Sequence, residues 1–271
     1  MHVHGHIPRV VLACAAAGML IGACSTVPIT GRQQLHLVPD SQILSLSYQQ
    51  YDQFLTENKK STDAEKTAMI QRVGKRIQGA VEQYMRDTNN TRQLDGYQWE
   101  FNLIEGKEVN AWCMPGGKVV FYTGILPVCK DETGVAVVMG HEIAHAVAKH
   151  GSERMSQGLL AEMGGMALAT ALQNEPEKTQ QLAMTAFGVG AQFGALLPFS
   201  RQQESEADHL GLIFMAMAGY DPRVAVPFWE RMSEGSGANP PEFMSTHPSD
   251  ETRIGNLNRL MPDAMKYYKP R

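Results

Sequence analysis

His141-Glu142-Ile143-Ala144-His145 has the residue types and spacing for metal-assisted hydrolysis. Residues four apart on a helix share a face one turn apart, so both imidazoles can reach one ion. Glu142 is offset by one position. It can reach a water at the metal, accept its proton and pass it to a leaving amine. Zinc, one ion per chain, is the expected cofactor, because it binds neutral imidazole and brings the pKa of water towards neutrality. The apolar flanks, Gly134 to Val138 and Ala146 to Ala148, predict a buried helix.

A catalytic zinc takes a third protein ligand and keeps one open position. Completion by a third histidine needs glycine three residues after His145 and histidine three further, where this chain has Ala148 and Gly151. Glu204-Ser205-Glu206-Ala207-Asp208 offers a carboxylate instead. Glu204 and Asp208 share a helix face, so Glu204 reads as the third ligand. Asp208 then accepts a hydrogen bond from the free nitrogen of a ligating histidine. Glu206 points elsewhere and reads as an exposed acid. His150, five residues past His145, falls on the wrong face and reads as a surface or capping histidine.

Several elements must position these groups. Asp40 predicts an N-cap for a helix to about Glu57, and Thr62-Asp63-Ala64-Glu65 has a capping-box pattern. Ile70, Val73, Ile77, Val81 and Tyr84 then form one core face. Three β-like runs follow, Trp99 to Ile104, Val109 to Met114 and Lys118 to Thr123, expected as a small antiparallel meander. Helical sequence resumes near Asp131 and continues to Ala218. The fold class expected is α+β, predominantly helical, with a small antiparallel sheet beside the His-Glu-x-x-His helix. Gly158 to Leu197, rich in Ala, Gly, Met and Leu, reads as a helix pair packed over the site, able to act as a lid, rather than a membrane hairpin.

The 271-residue chain is 43% hydrophobic with a formal net charge of −4, enough for one packed domain and without the basic excess of a nucleic-acid partner. Arg9 precedes an apolar run from Val10 to Ile21, the layout of an export signal too short to span a bilayer. Ile21-Gly22-Ala23-Cys24 resembles a bacterial lipobox, with Cys24 lipidated. The organisation expected is a signal peptide over 1–23, a lipid-anchored tether over 24–39 and one hydrolase domain over 40–271. Cys113 and Cys129 remain, either paired or as separate thiols.

The motifs at 141–151 and 204–208 resemble metallopeptidase family forty-eight, the gluzincins, and the match is nearest to LoiP-like bacterial lipoprotein metalloproteases. That resemblance implies a zincin-type domain and a zinc metalloendopeptidase on the periplasmic side of the outer membrane. Its implied partners are misfolded or unassembled envelope proteins and unidentified assembly factors. Asn110, Ala111, Trp112, Cys113 and Met114 are similar to the family's substrate-pairing strand. Thr246-His247-Pro248-Ser249 with Arg253 resembles a further family motif. His247 is implied to stabilise an oxyanion or to occupy the open zinc position at rest, and Arg253 to pair with the site's carboxylates. Two rival functions are a zinc-containing chaperone-like or latent quality-control factor, and an envelope scaffold in which the histidine pattern is fortuitous.

Overall fold

The computed structural model describes residues 24–27, 30–234, 243–244, 247 and 252–270. The signal expected over 1–23, and Thr246, Pro248 and Ser249, lie outside the described residues. Two short strands, β1 (Cys24–Thr26) and β2 (Gln33–Leu35), pair antiparallel with Cys24 opposite Leu35. The stretch expected as a stand-off tether is thus laid onto the domain in its described part. Val27 is fully buried there, and Arg32 forms ion pairs with Glu153 and Glu206.

Helix α1 (Asp40–Glu57) has Pro39 at its N-cap, and the Asp40 side chain accepts from Lys149 Nζ at 2.7 Å instead of capping. Helix α2 (Ala64–Asp87) is capped by Asp63, which accepts from Lys66 N at 3.0 Å, one residue later than a box led by Thr62. Its expected core face, Ile70 to Tyr84, is buried.

The expected meander is corrected. Strands β3 (Glu100–Ile104), β4 (Ala111–Met114) and β5 (Lys118–Tyr122) lie in the order β3-β5-β4, with β5 parallel to β3 and antiparallel to β4. The reason is two-faced burial. Val119, Val120 and Phe121 are fully buried on alternating sides, so β5 takes the centre, whereas half-exposed Trp112, Cys113 and Met114 suit an edge. Gly116 and Gly117, at φ 88° and 83°, make the tight β4–β5 turn.

Helix α3 (Glu132–Val147) carries both metal-motif histidines. Asp131 caps it, accepting from Thr133 N and Gly134 N at 2.9 Å, and every residue from Gly134 to Val147 is buried. A helix apolar all round belongs at the centre, and α3 packs against α2, β4 and the later helix α6. Next come α4 (His150–Ala171) and α5 (Glu177–Ala191), a π-turn at Gln192–Leu196, then α6 (Leu197–Met217), α7 (Ala225–Glu234) and α8 (Arg253–Ala264).

The α4–α5 hairpin is not packed over the site as expected. No described residue of α5 is buried, and Met163, Met166 and Leu182 are 58%, 58% and 72% exposed. The two helices lean on each other, with Phe187 over Gly164. Among the described residues no helix is long and apolar enough to cross a membrane. Cys113 and Cys129 are both free thiols, and burial pushes Cys129 up to about 12.

Helices α3 and α6 touch backbone to backbone at Gly140 and Gly211. A Cβ on Gly211 would stand 2.9 Å from His141 N, and one on Gly140 would stand 2.8 Å from Gly211 O. Gly79, on an exposed turn of α2, has open space around it. Gly211→Ala is therefore expected to destabilise the fold by about 1–3 kcal/mol through overpacking. Gly79→Ala should stabilise it by about 0.5–1 kcal/mol. Urea unfolding of the two variants beside wild type checks both signs.

Candidate metal centre

Helix α3 holds His141 and His145 on one face, and α6 brings Glu204 opposite them. His247 enters from the segment before α8. One ligand atom from each of the four lies within 4.8 Å of the others. His141 Nε2 is 3.1 Å from His145 Nε2 and 3.3 Å from Glu204 Oε2, and His145 Nε2 is 3.3 Å from Glu204 Oε1. His247 Nδ1 is 3.4 Å from His141 Nε2 and 3.2 Å from Glu204 Oε1.

Proton bookkeeping tests whether a metal fits. Asp208 Oδ1, 3.0 Å from His141 Nδ1, can only accept from an imidazole N–H when ionised. Burial pushes the Asp208 carboxyl up, but the Arg253 charge and the His141 bond hold it below its ordinary value. His145 Nδ1 is likewise engaged, 2.9 Å from His150 Nδ1. With both Nδ1 atoms donating, both Nε2 atoms face each other and a carboxylate, a set satisfied by a metal ion between them or, without one, by a proton on His141 Nε2. A tetrahedral ion with bonds of about 2.0–2.1 Å sets its ligands about 3.3 Å apart, which is the spacing found here. The residues fit a metal.

The electrostatics agree. Burial raises the cost of the Glu204 charge, but His145, His141 and His247 around it hold its carboxyl well below the ordinary range. Burial disfavours a charged His141, yet its bonds to Asp208 and Glu204 outweigh that and bring it up to about 9. Glu142 Oε1 is buried, has no hydrogen-bond partner, and lies 3.4 Å from His247 Nε2. Burial pushes that carboxyl up.

Arg253, expected to pair with the carboxylates, donates to Asp208 Oδ1 at 2.6 Å, comes within 4.0 Å of Glu204, and lies 3.3 Å from the centre of the Trp229 ring. Strand β4, with Asn110 preceding it, is an edge of its sheet. Phe243 N donates to Val109 O at 3.2 Å, and His247 N donates to Phe243 O at 2.9 Å, so the start of that edge is tied to the His247 segment. The Phe243 and His247 rings stack 4.6 Å apart.

Two sequence-based readings are corrected. His150 is fully buried against His145, with its Nε2 3.0 Å from Glu206 Oε2, and Glu206 is buried as well. Helical extrapolation from His145 fails because Lys149, at φ 57°, breaks α3 from α4 and swings His150 back. Glu206 is covered by the β1–β2 ribbon, which a helical wheel does not contain. Trp229 and Phe243 were also missed; neither stands in a recognisable motif.

A buried His-Glu-x-x-His helix, a carboxylate from a second helix and a small sheet beside them define a zincin-type α+β domain. The chain belongs to Peptidase family M48, whose sequence profile matches residues 72–261. It is 39% identical to the mitochondrial metalloendopeptidase OMA1 of Schizosaccharomyces pombe over 63% of this chain and 49% of that protein. The human mitochondrial metalloendopeptidase OMA1 is 31% identical over 88% of this chain and 46% of that protein. The β-barrel assembly-enhancing protease of Escherichia coli is 29% identical over 60% of this chain and 35% of that protein. The chain thus spans about half the length of its OMA1 relatives.

These likenesses correct the expected placement in a bacterial outer membrane. Mitochondrial proteins of fungi, a plant and animals match at higher identity and over more of the chain than the bacterial protease. A basic residue and an apolar run encode engagement with a membrane rather than a destination, so the N-terminus alone does not choose the compartment.

Asp208→Asn is expected to keep the fold while weakening divalent-metal affinity about 10–100-fold, because the amide no longer fixes the His141 tautomer. Isothermal titration of chelator-treated protein measures the change.

Proposed function

We propose that this chain is a zinc-dependent endopeptidase that cleaves extended segments of unfolded polypeptides. The observation that carries the reading is the convergence of one ligand atom each from His141, His145, Glu204 and His247 within 4.8 Å of one another, with the buried Glu142 Oε1, which accepts no hydrogen bond, beside it. His141, His145 and Glu204 would hold the ion. When bound, zinc supplies a Lewis acid that acidifies an attacking water and polarises the peptide carbonyl.

The remaining chemistry falls to the protein. Glu142, its basicity raised by burial, takes the proton of the attacking water and delivers it to the leaving nitrogen. Asp208 and Arg253 keep His141 oriented throughout. Substrate main chain adds to the β4 edge, where hydrogen bonds to the backbone around Asn110 to Met114 read few side chains, consistent with broad specificity for unfolded chains. His247 Nδ1 stands at the fourth corner, which substrate must reach, and its Nε2 faces the base. It therefore acts as a resting-state plug that withdraws as substrate enters.

One observation favours a latent or chaperone-like second reading. The α4–α5 hairpin exposes Met163, Met166 and Leu182, an adaptable apolar surface for unfolded chains that needs no hydrolysis.

Zinc content and casein cleavage by the full chain separate these. Wild type is expected to bind about one zinc and cleave, and Glu142→Gln to keep the zinc while losing cleavage by about 100-fold or more. Zinc in both proteins with cleavage in neither supports the second reading, and wild type without metal sinks the first. His247→Ala, with zinc retained, is expected to cleave faster than wild type. Slower cleavage would assign His247 to oxyanion stabilisation.

A further inference from the structure

Two ligand histidines need two orienting partners, and the sequence supplied one. Asp208 serves His141 directly. For His145 the corresponding partner is an imidazole. His145 Nδ1 lies 2.9 Å from His150 Nδ1, and His150 Nε2 lies 3.0 Å from Glu206 Oε2, with all three side chains buried. An ionised Glu206 can only accept, so His150 must carry its proton on Nε2 and present a lone pair at Nδ1. His145 must then donate from Nδ1, which leaves its Nε2 lone pair facing Glu204 and His141. The direction of every bond in this chain is set by the carboxylate at its far end.

That carboxylate is held from outside the helical core. Arg32 Nε donates to Glu206 Oε2 at 2.9 Å, and the Thr30 hydroxyl donates to Glu206 Oε1. The rest of the Arg32 guanidinium clamps Glu153, with Nη1 at 2.7 Å from Oε1 and Nη2 at 2.8 Å from Oε2. Gln203 Nε2 secures Glu153 Oε2 at 2.7 Å. Both residues that reach Glu206 from the ribbon lie outside the stretch matched by the family profile, which begins at residue 72.

We infer that Arg32, Glu206 and His150 are positioning residues of the metal centre, through which the docked N-terminal ribbon fixes the tautomer and orientation of the ligand His145. The inference rests on the metal reading proposed above. A fixed tautomer spares the site the cost of selecting the metal-binding form of the ring, and an undocked ribbon leaves Glu206 buried without its cation. Residues 24–36 therefore belong functionally to the catalytic domain, so metal affinity responds to whether this ribbon is docked.

The test measures zinc affinity by competition with a chromophoric chelator, on the full chain, independently of cleavage. Arg32→Met and His150→Phe are each expected to weaken zinc binding about 10–100-fold, with partial rescue in Arg32→Lys, which keeps the charge but not the bidentate clamp. Arg72→Met, which removes an exposed ion pair to Glu132, should leave the affinity unchanged. A purely structural role would lower thermal stability without moving the zinc affinity; that result in folded variants overturns the inference and spares the metallopeptidase reading. Long-range proton–nitrogen NMR of zinc-loaded wild type gives a readout that needs no variant. Protons on His145 Nδ1 and His150 Nε2 are expected, and a His150 proton on Nδ1 overturns the relay. Wild type that binds no zinc overturns both readings.

Discussion

The backbone contact between α3 and α6 at Gly140 and Gly211 is the constraint on which the rest of the molecule depends. Glutamate is a short tether from helix backbone to metal. Glu204 reaches the histidine pair because the two helices approach closely beside His141, about two turns along α6 from Glu204, and His141 itself is among the atoms that a side chain on Gly211 would meet. That separation also places Asp208 behind His141 and Glu206 within reach of His150. One close approach thus aligns three carboxylates of a single helix with three imidazoles.

Gathering so many ionisable groups in one core carries a large desolvation cost, and the structure meets it by pairing. Arg253 serves Asp208 and approaches Glu204, while Arg32 serves Glu206 and Glu153. Each arginine comes from a segment remote in sequence, one near each end of the chain. The segments that carry Arg32 and Arg253 thereby pack behind the candidate metal centre, leaving its other side to His247 and Glu142. The Arg32–Glu153 pair is bidentate, whereas Arg253 reaches Asp208 through Nη2 alone, and guanidinium suits both places because its charge is permanent.

The edge strand and the hairpin have a different character. Strand β4 lies at the edge of its sheet among the described residues and has half-buried side chains, and the α4–α5 hairpin leaves methionines and leucines in solvent. The packed core beneath them holds the candidate metal-binding groups in place, a division of labour in keeping with the function proposed above.

Much of this was legible in the sequence where the signal was local. The helix spans, the core face of α2, the pairing of His141 with His145 and the shared face of Glu204 and Asp208 all follow from helical periodicity, because residues within a turn or two have their relative positions set by the backbone. Three features were not legible. The strand order was misread because pairing depends on which strand is buried on both faces. His150 was misread because one left-handed residue, Lys149, resets the helical phase. Glu206 and Arg32 were missed because an ion pair 174 residues apart in sequence leaves no periodic trace. The sequence by itself determined which side chains can bind a metal and which helices carry them. Only the tertiary structure decided which buried groups orient those ligands, because that choice depends on desolvated charges from distant segments meeting in one place.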